Sequence, residues 1–199
     1  MDDHELVTRS KTGDLSAFEE LVRRYENKVF TVIYRFVGNW ADVNDLAQET
    51  FIRVYQSLPN FRQESGFATW LYSIAANICR DELRKKRRRP KISLDEITAS
   101  SDLLPSFEAG PDCLENRLEQ CELQDAVQEC LSTLPDEYRL ALVMREIQGL
   151  SYREIAVVLG CSTGTVKSRL SRARLAFKQE VTAKRELFQL LLRLEDKGG

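Results

Sequence analysis

The chain has little of what most catalysts need. Among 199 residues there is one histidine, His4, near a terminus expected to fray. Histidine-based catalysis and a histidine zinc site are therefore close to excluded. The five cysteines, Cys79, Cys113, Cys121, Cys130 and Cys161, are an odd count with no Cys-x-x-Cys pair, so neither a disulfide framework nor a thiolate metal site is expected. Cys121 and Cys130 fall in a helical apolar pattern, where free cysteine serves as a small core residue. There is no phosphate-cradling glycine loop, no triad and no metal-ligand spacing. The expectation is a protein that is not an enzyme and needs no cofactor or metal. No apolar run approaches the ~18–20 residues that cross a bilayer, and no charged-then-apolar leader opens the chain. A cytoplasmic protein without membrane insertion is expected.

Net charge is also small, −2, but its distribution is uneven. Residues 84–91 read RKKRRRPK, seven bases and no acid. From Asp95 to Glu137 twelve acids face one base, Arg117, and from Arg139 to Lys178 eight bases face two acids. Two basic zones separated by an acidic one suit a protein that grips a polyanion at two places. Ordinary solvated surface would give the same counts, so charge alone does not decide.

Strand alternation is missing, and the pattern is helical almost throughout, giving an all-α fold. Ser16 to Glu19 reads as a capping box opening a helix with Phe18, Leu21, Val22, Tyr25, Val29, Val32, Ile33 and Phe36 at helical spacing; Gly38-Asn39 stops it. A second helix is expected from about Asp42 to Pro59. After the polar loop 60–66, a third runs from Phe67 into the basic run and ends at Pro90. Residues 91–111, with prolines, serines and acids, read as a flexible linker. Four helices follow at about 112–134, 135–148, 151–159 and 163–177, with Pro135 tolerated in a first turn. Two small helical domains, 1–90 and 112–199, are predicted.

The strongest local signal is a helix-turn-helix over 151–174. Ser151 and Glu154 form a second capping box. Ala156 is small enough for a close helix crossing, Gly160 suits a left-handed turn, and Val166 packs the second helix on the first. The opposite face of that second helix carries Lys167, Ser168, Ser171 and Arg172, flanked by Arg169, Arg174 and Lys178. Such donors read base edges and phosphates in a major groove. A helical hairpin with a solvated basic face remains the plain alternative.

The third helix has two unlike faces. Leu71, Ile74, Ala75 and Ile78 make a buried stripe, while Trp70, Ser73, Asn77, Arg80 and Arg84 share an exposed one. A tryptophan followed by amide and arginine groups could stack on and bond unpaired bases. A lone tryptophan is, however, as often core.

Two blocks together carry a family likeness. DLAQETF at 45–51 with FATWLYSIAAN at 67–77 resembles the first conserved domain of bacterial extracytoplasmic-function sigma factors. LPDEYR at 134–139, GLSYREIA at 149–156 and GTVKSRL at 164–170 resemble their second. The likeness spans about Phe18 to Lys178 in family order. It implies an RNA polymerase subunit that recognises −10 and −35 promoter elements and melts DNA to start transcription of a stress or envelope regulon. Asp45, Gln48 and Glu49, on one helix face, would dock on the core polymerase. Asn60, Phe61, Arg62, Phe67, Trp70, Asn77, Arg80 and Arg84 would take the −10 element, with residues 84–89 on phosphates. Arg153, Thr165, Lys167, Ser168, Ser171, Arg172 and Arg174 would serve the −35 element. The implied partners are core RNA polymerase, promoter DNA and an anti-sigma factor. The apolar tail at Leu187, Phe188, Leu190, Leu191, Leu192 and Leu194 has no counterpart in the likeness. A dimeric DNA-binding regulator would share the helix-turn-helix, but the first 90 residues lack the strand–helix alternation of a receiver domain. A pure interaction module is the remaining rival, separable by mixing with core polymerase.

Overall fold

The computed structural model describes residues 1–88 and 114–184. The expected linker at 91–111, Cys113 and the apolar tail beyond 184 lie outside them. Among the described residues the chain is helical, in two groups: α1 (Asp3–Lys11), α2 (Leu15–Val37), α3 (Trp40–Ser57) and α4 (Phe67–Arg88), then α5 (Leu114–Ser132), α6 (Asp136–Leu142), α7 (Tyr152–Leu159) and α8 (Thr163–Ala183).

Helix α1 replaces the expected frayed terminus. Asp2 caps it, accepting from the Glu5 amide at 2.8 Å, and the apolar residues it buries are Leu6 and Val7 at its centre, with Ser10 beside them. Two apolar residues in nine give no readable period, which is why sequence pattern misses it. Tertiary bonds hold it instead: the Tyr25 hydroxyl donates to Asp3, Arg24 pairs with Asp3 at 3.2 Å, and the Lys11 ammonium donates to the Phe61 carbonyl at 2.5 Å.

Helix α2 starts earlier than the Ser16–Glu19 box predicts. Asp14 is the cap, accepting from the Ala17 amide at 3.2 Å, while Ser16, inside the first turn, donates its hydroxyl to Asp14 at 2.6 Å. A carboxylate satisfies the free amides and also meets the positive end of the helix dipole, so it outcompetes the hydroxyl. The Ser16 hydroxyl, then Arg9, draw the Asp14 carboxyl down to about 2. Gly38, at φ 78°, closes the helix. Helix α3 likewise starts two residues before the expected Asp42, because Asn39 caps it through the Ala41 amide at 3.0 Å and Trp40 stacks on Tyr34. It ends in a 3-10 turn, Leu58–Asn60, with Pro59 inside.

In the second group α6 is shorter than expected and passes into a π-turn, Val143–Ile147. Pro135 stands at its cap rather than in its first turn. Gly149, at φ 69°, lets the chain turn into α7. Helix α8 runs six residues beyond the expected Phe177.

The two groups pack together, and their buried apolar side chains form one continuous cluster. The main pin is Arg139, only 7% exposed. Its guanidinium donates to the Ser132 and Leu134 carbonyls at 2.8 and 3.0 Å, capping the end of α5, and to the Phe36 carbonyl at the end of α2 at 2.6 Å. Gln128 on α5 donates to the Arg35 carbonyl at 3.3 Å. Helix α7 lies against α4, which brings the helix-turn-helix beside the helix with the tryptophan.

Candidate nucleic-acid interface

Local chemistry builds the helix-turn-helix as its sequence predicts. Ser151 accepts from the Glu154 amide at 3.3 Å and the Glu154 carboxylate accepts from the Ser151 amide at 2.8 Å. These bonds, the Ser151 hydroxyl first, hold the Glu154 carboxyl below the usual range. Gly160 turns at φ 62°, and Ser162 caps α8 through the Thr165 amide at 3.1 Å. Val166, Leu170 and Ala173 bury one side of α8; Ala156 is only half-buried.

That burial fixes which residues point out. Lys167, Ser168, Ser171 and Arg172 are exposed, as is Arg153 on α7; Thr165 is partly covered, its hydroxyl 2.9 Å from that of Ser162. Arg172 reaches the Tyr138 hydroxyl at 3.4 Å. The two edges of α8 are different. Arg169 pairs with Glu137 at 2.7 Å, and Arg174 with Glu146 at 2.7 Å. Arg174, although exposed, is thus engaged by Glu146, whereas Lys167, Ser168 and Ser171 have no acidic partner among the described residues.

The face of α4 is far more occupied. Phe61 and Phe67, expected at the interface, sit in the core at 6% and 5% exposure. Trp70 is half-buried and stacks on Phe61, ring centres 4.4 Å apart and planes 17° from parallel. Phe67 packs edge-on against Tyr25 of α2 at 5.4 Å and against Phe61 at 6.3 Å, where burial of the rings outweighs exposure. Asn60 and Arg62 remain exposed on that loop. Asn77 is exposed and accepts from Arg80 at 3.0 Å. Arg80 also faces Glu137 at 3.5 Å, Arg84 pairs with Asp81, Lys86 with Asp42, and Arg87 with Asp136 at 2.9 Å. Ile74, expected buried, is partly exposed.

The helix-turn-helix and the turn before it supply further partners to α4. Thr69 donates to Glu154 at 3.4 Å, and Tyr72, whose phenol burial pushes up to about 12, donates to Gln148 at 2.8 Å. Sequence pattern marks Glu154 only as a cap and Asp136 and Glu137 only within LPDEYR, and it misses the pairing of these residues and Gln148 with α4. They lie 49 to 85 residues from their partners, so no local spacing could point to them.

On α3, Asp45 and Gln48 are exposed and Glu49 is partly so, paired with Arg53 at 2.5 Å. Beside them Ile52 is 56% exposed and Tyr55 45%. This acidic stripe with an uncovered apolar edge was half legible: Ile52 breaks the spacing of Val43, Leu46, Ala47, Thr50 and Val54, which are buried. Of the cysteines, Cys79 and Cys130 are buried and free. No helix among the described residues is long and apolar enough to cross a membrane.

Known proteins match this arrangement. The family model for Sigma-70 region 2 matches residues 21–89, and that for Sigma-70 region 4 matches 124–177. The RNA polymerase sigma-H factor of Pseudomonas aeruginosa is 41% identical, with 86% of this chain and 90% of the relative covered. The ECF RNA polymerase sigma-E factor of Escherichia coli is also 41% identical, over 90% of this chain and 94% of the relative. Among solved structures, CnrH in complex with the cytosolic domain of CnrY superimposes with a TM-score of 0.68 at 27% identity, covering 91% of this chain and 97% of CnrH. These relatives are transcription factors rather than enzymes. The chain belongs to the extracytoplasmic-function family of RNA polymerase sigma factors, which bind core polymerase and recognise promoters.

Proposed function

We propose a division of promoter recognition between the two helical groups, residues 1–90 and 112–199, joined through 91–111. The second group reads duplex −35 DNA. Lys167, Ser168, Ser171 and Arg172 face the major groove, while Arg153 and Thr165 hold phosphates at the mouth of the turn. The observation that carries this reading is the exposed polar face of α8, backed by the buried Val166, Leu170 and Ala173.

The first group takes the −10 element once its strands part. Asn60 and Arg62 on the loop, with Asn77, Arg80 and Arg84 on α4, offer edge and phosphate contacts to an extruded base. Phe61 and Phe67 act from the core, by holding Trp70 in place. Asp45, Gln48 and Glu49, with Ile52 at their edge, form the docking stripe for core polymerase. An anti-sigma factor is the expected inhibitor; the structural neighbour CnrH is held by the cytosolic domain of CnrY.

Docking is tested by replacing Gln48 and Glu49 with alanine. Neither is buried, so stability should change by less than about 0.5 kcal/mol, while binding to core polymerase weakens. A double variant that binds core polymerase like the parent would refute the docking stripe.

A further inference from the structure

We propose that the acidic start of α6, Asp136 and Glu137, is an internal stand-in for DNA phosphate that holds the two promoter readers closed in the free protein; this rests on the assignment of α4 to −10 DNA. Both carboxylates face arginines on the two proposed DNA-reading helices, α4 and α8. One Arg87 amino group reaches both oxygens of Asp136 at 2.9 Å. Glu137 bridges the seam, with one oxygen 3.5 Å from Arg80 on α4 and the other 2.7 Å from Arg169 on α8.

Guanidinium forks that bind carboxylates bind phosphate oxygens by the same geometry. The same three arginines therefore cannot serve the clasp and a DNA backbone together. The clasp is also placed firmly. Pro135, extended at φ −53° and ψ 141°, starts α6, and the buried Arg139 ties α6 to the Phe36 carbonyl. Thr69 to Glu154 and Tyr72 to Gln148 close the rest of the seam. No short sequence spacing explains an acidic first turn aimed at another domain's arginines, because helix-dipole stabilisation alone needs no such partner.

Each pair is solvent-accessible, with Asp136 20% and Glu137 41% exposed at the side chain. Such pairs are individually weak and salt-sensitive. The clasp thus yields when polymerase pulls the two groups apart or when promoter phosphates compete, but it suppresses grip on stray nucleic acid.

The test uses the full chain without polymerase. Radius of gyration is measured by small-angle scattering, and binding to a fluorescein-labelled, mixed-sequence single-stranded 20-mer by anisotropy. Asp136→Asn with Glu137→Gln should expand the protein and tighten oligonucleotide binding about ten-fold, the sum expected of three weak pairs. Asp136→Arg should expand it too, and Asp136→Arg with Arg87→Asp should restore compactness, which a merely helix-capping role would not do. Unchanged compactness or unchanged oligonucleotide affinity in the neutralised variant overturns the clasp. Failure of the −10 assignment has a separate signature: with core polymerase, Asn77→Ala would then open promoters at the parental rate.

Discussion

Helices α4 and α8 carry similar inventories, hydroxyls, an amide or lysine, and several arginines at helical spacing, yet they stand in opposite states. On α8 Lys167, Ser168, Ser171 and Arg172 point to solvent, and the ion pairs lie at its edge arginines, Arg169 and Arg174. On α4 the tryptophan is stacked, and Arg80, Arg84, Lys86 and Arg87 all have acidic partners. Under the proposed division of roles, the difference follows from what each helix reads. Duplex DNA presents its edges ready-made, so a rigid exposed helix suffices. An extruded base appears only during melting, and a face that waits for it can be occupied until then.

The largest expected effect comes from the pin that holds the arrangement together. Arg139→Ala leaves the Phe36, Ser132 and Leu134 carbonyls without their donor and should cost about 3–5 kcal/mol. Chemical denaturation reads it directly. A loss under about 1 kcal/mol would show that the seam does not depend on this guanidinium, and would weaken the contrast between a covered α4 and an open α8.

A smaller change sharpens the contrast on one side only. Phe61→Leu keeps an apolar core residue but removes the stack on Trp70, at a cost of about 1 kcal/mol. Single-stranded −10 binding by the holoenzyme should change, while duplex −35 binding should not. Equal changes in both would mean that Trp70 is not specific to the first group.

The smallest effect is a pH dependence at the other side. Bonds to Ser151 lower the Glu154 carboxyl pKa. A lowered folded value gives stability that is present above the usual carboxylate range and lost as pH falls through the folded value. Glu154→Gln should therefore cost about 0.5 kcal/mol at neutral pH and flatten the stability profile of the protein below about pH 4.5. A variant with the same acid slope as the parent would contradict the cap.

Much of this is legible in the amino-acid sequence. The capping box at Ser151 and the turn at Gly160 are local, and Val166, Leu170 and Ala173 share one face by helical spacing, so the sequence encodes them even though α6 helps to bury that face. The exposed stripe on α3 is local as well. Helix α1, the buried place of Phe61 and Phe67, and the partners of Arg80 and Arg87 were not readable. Each depends on residues brought together from 22 to 57 positions apart, where hydrophobic periodicity and charge counts carry no register. The Asp14 cap was missed for a different reason: two competent caps stood side by side, and only electrostatics at the helix end chose between them.

The central claim, a duplex reader on α8 and a melted-strand reader on α4, is tested most directly with two variants on two templates. Holoenzymes carrying Arg172→Ala or Asn77→Ala are scored on intact promoter and on promoter already melted at −10. Arg172→Ala should lose about 1–3 kcal/mol of duplex binding and little on the melted template. Asn77→Ala should load on duplex nearly normally, open slowly, and bind the melted template weakly. Equal losses by both variants on both templates would contradict the division of roles and leave a generic basic grip on DNA.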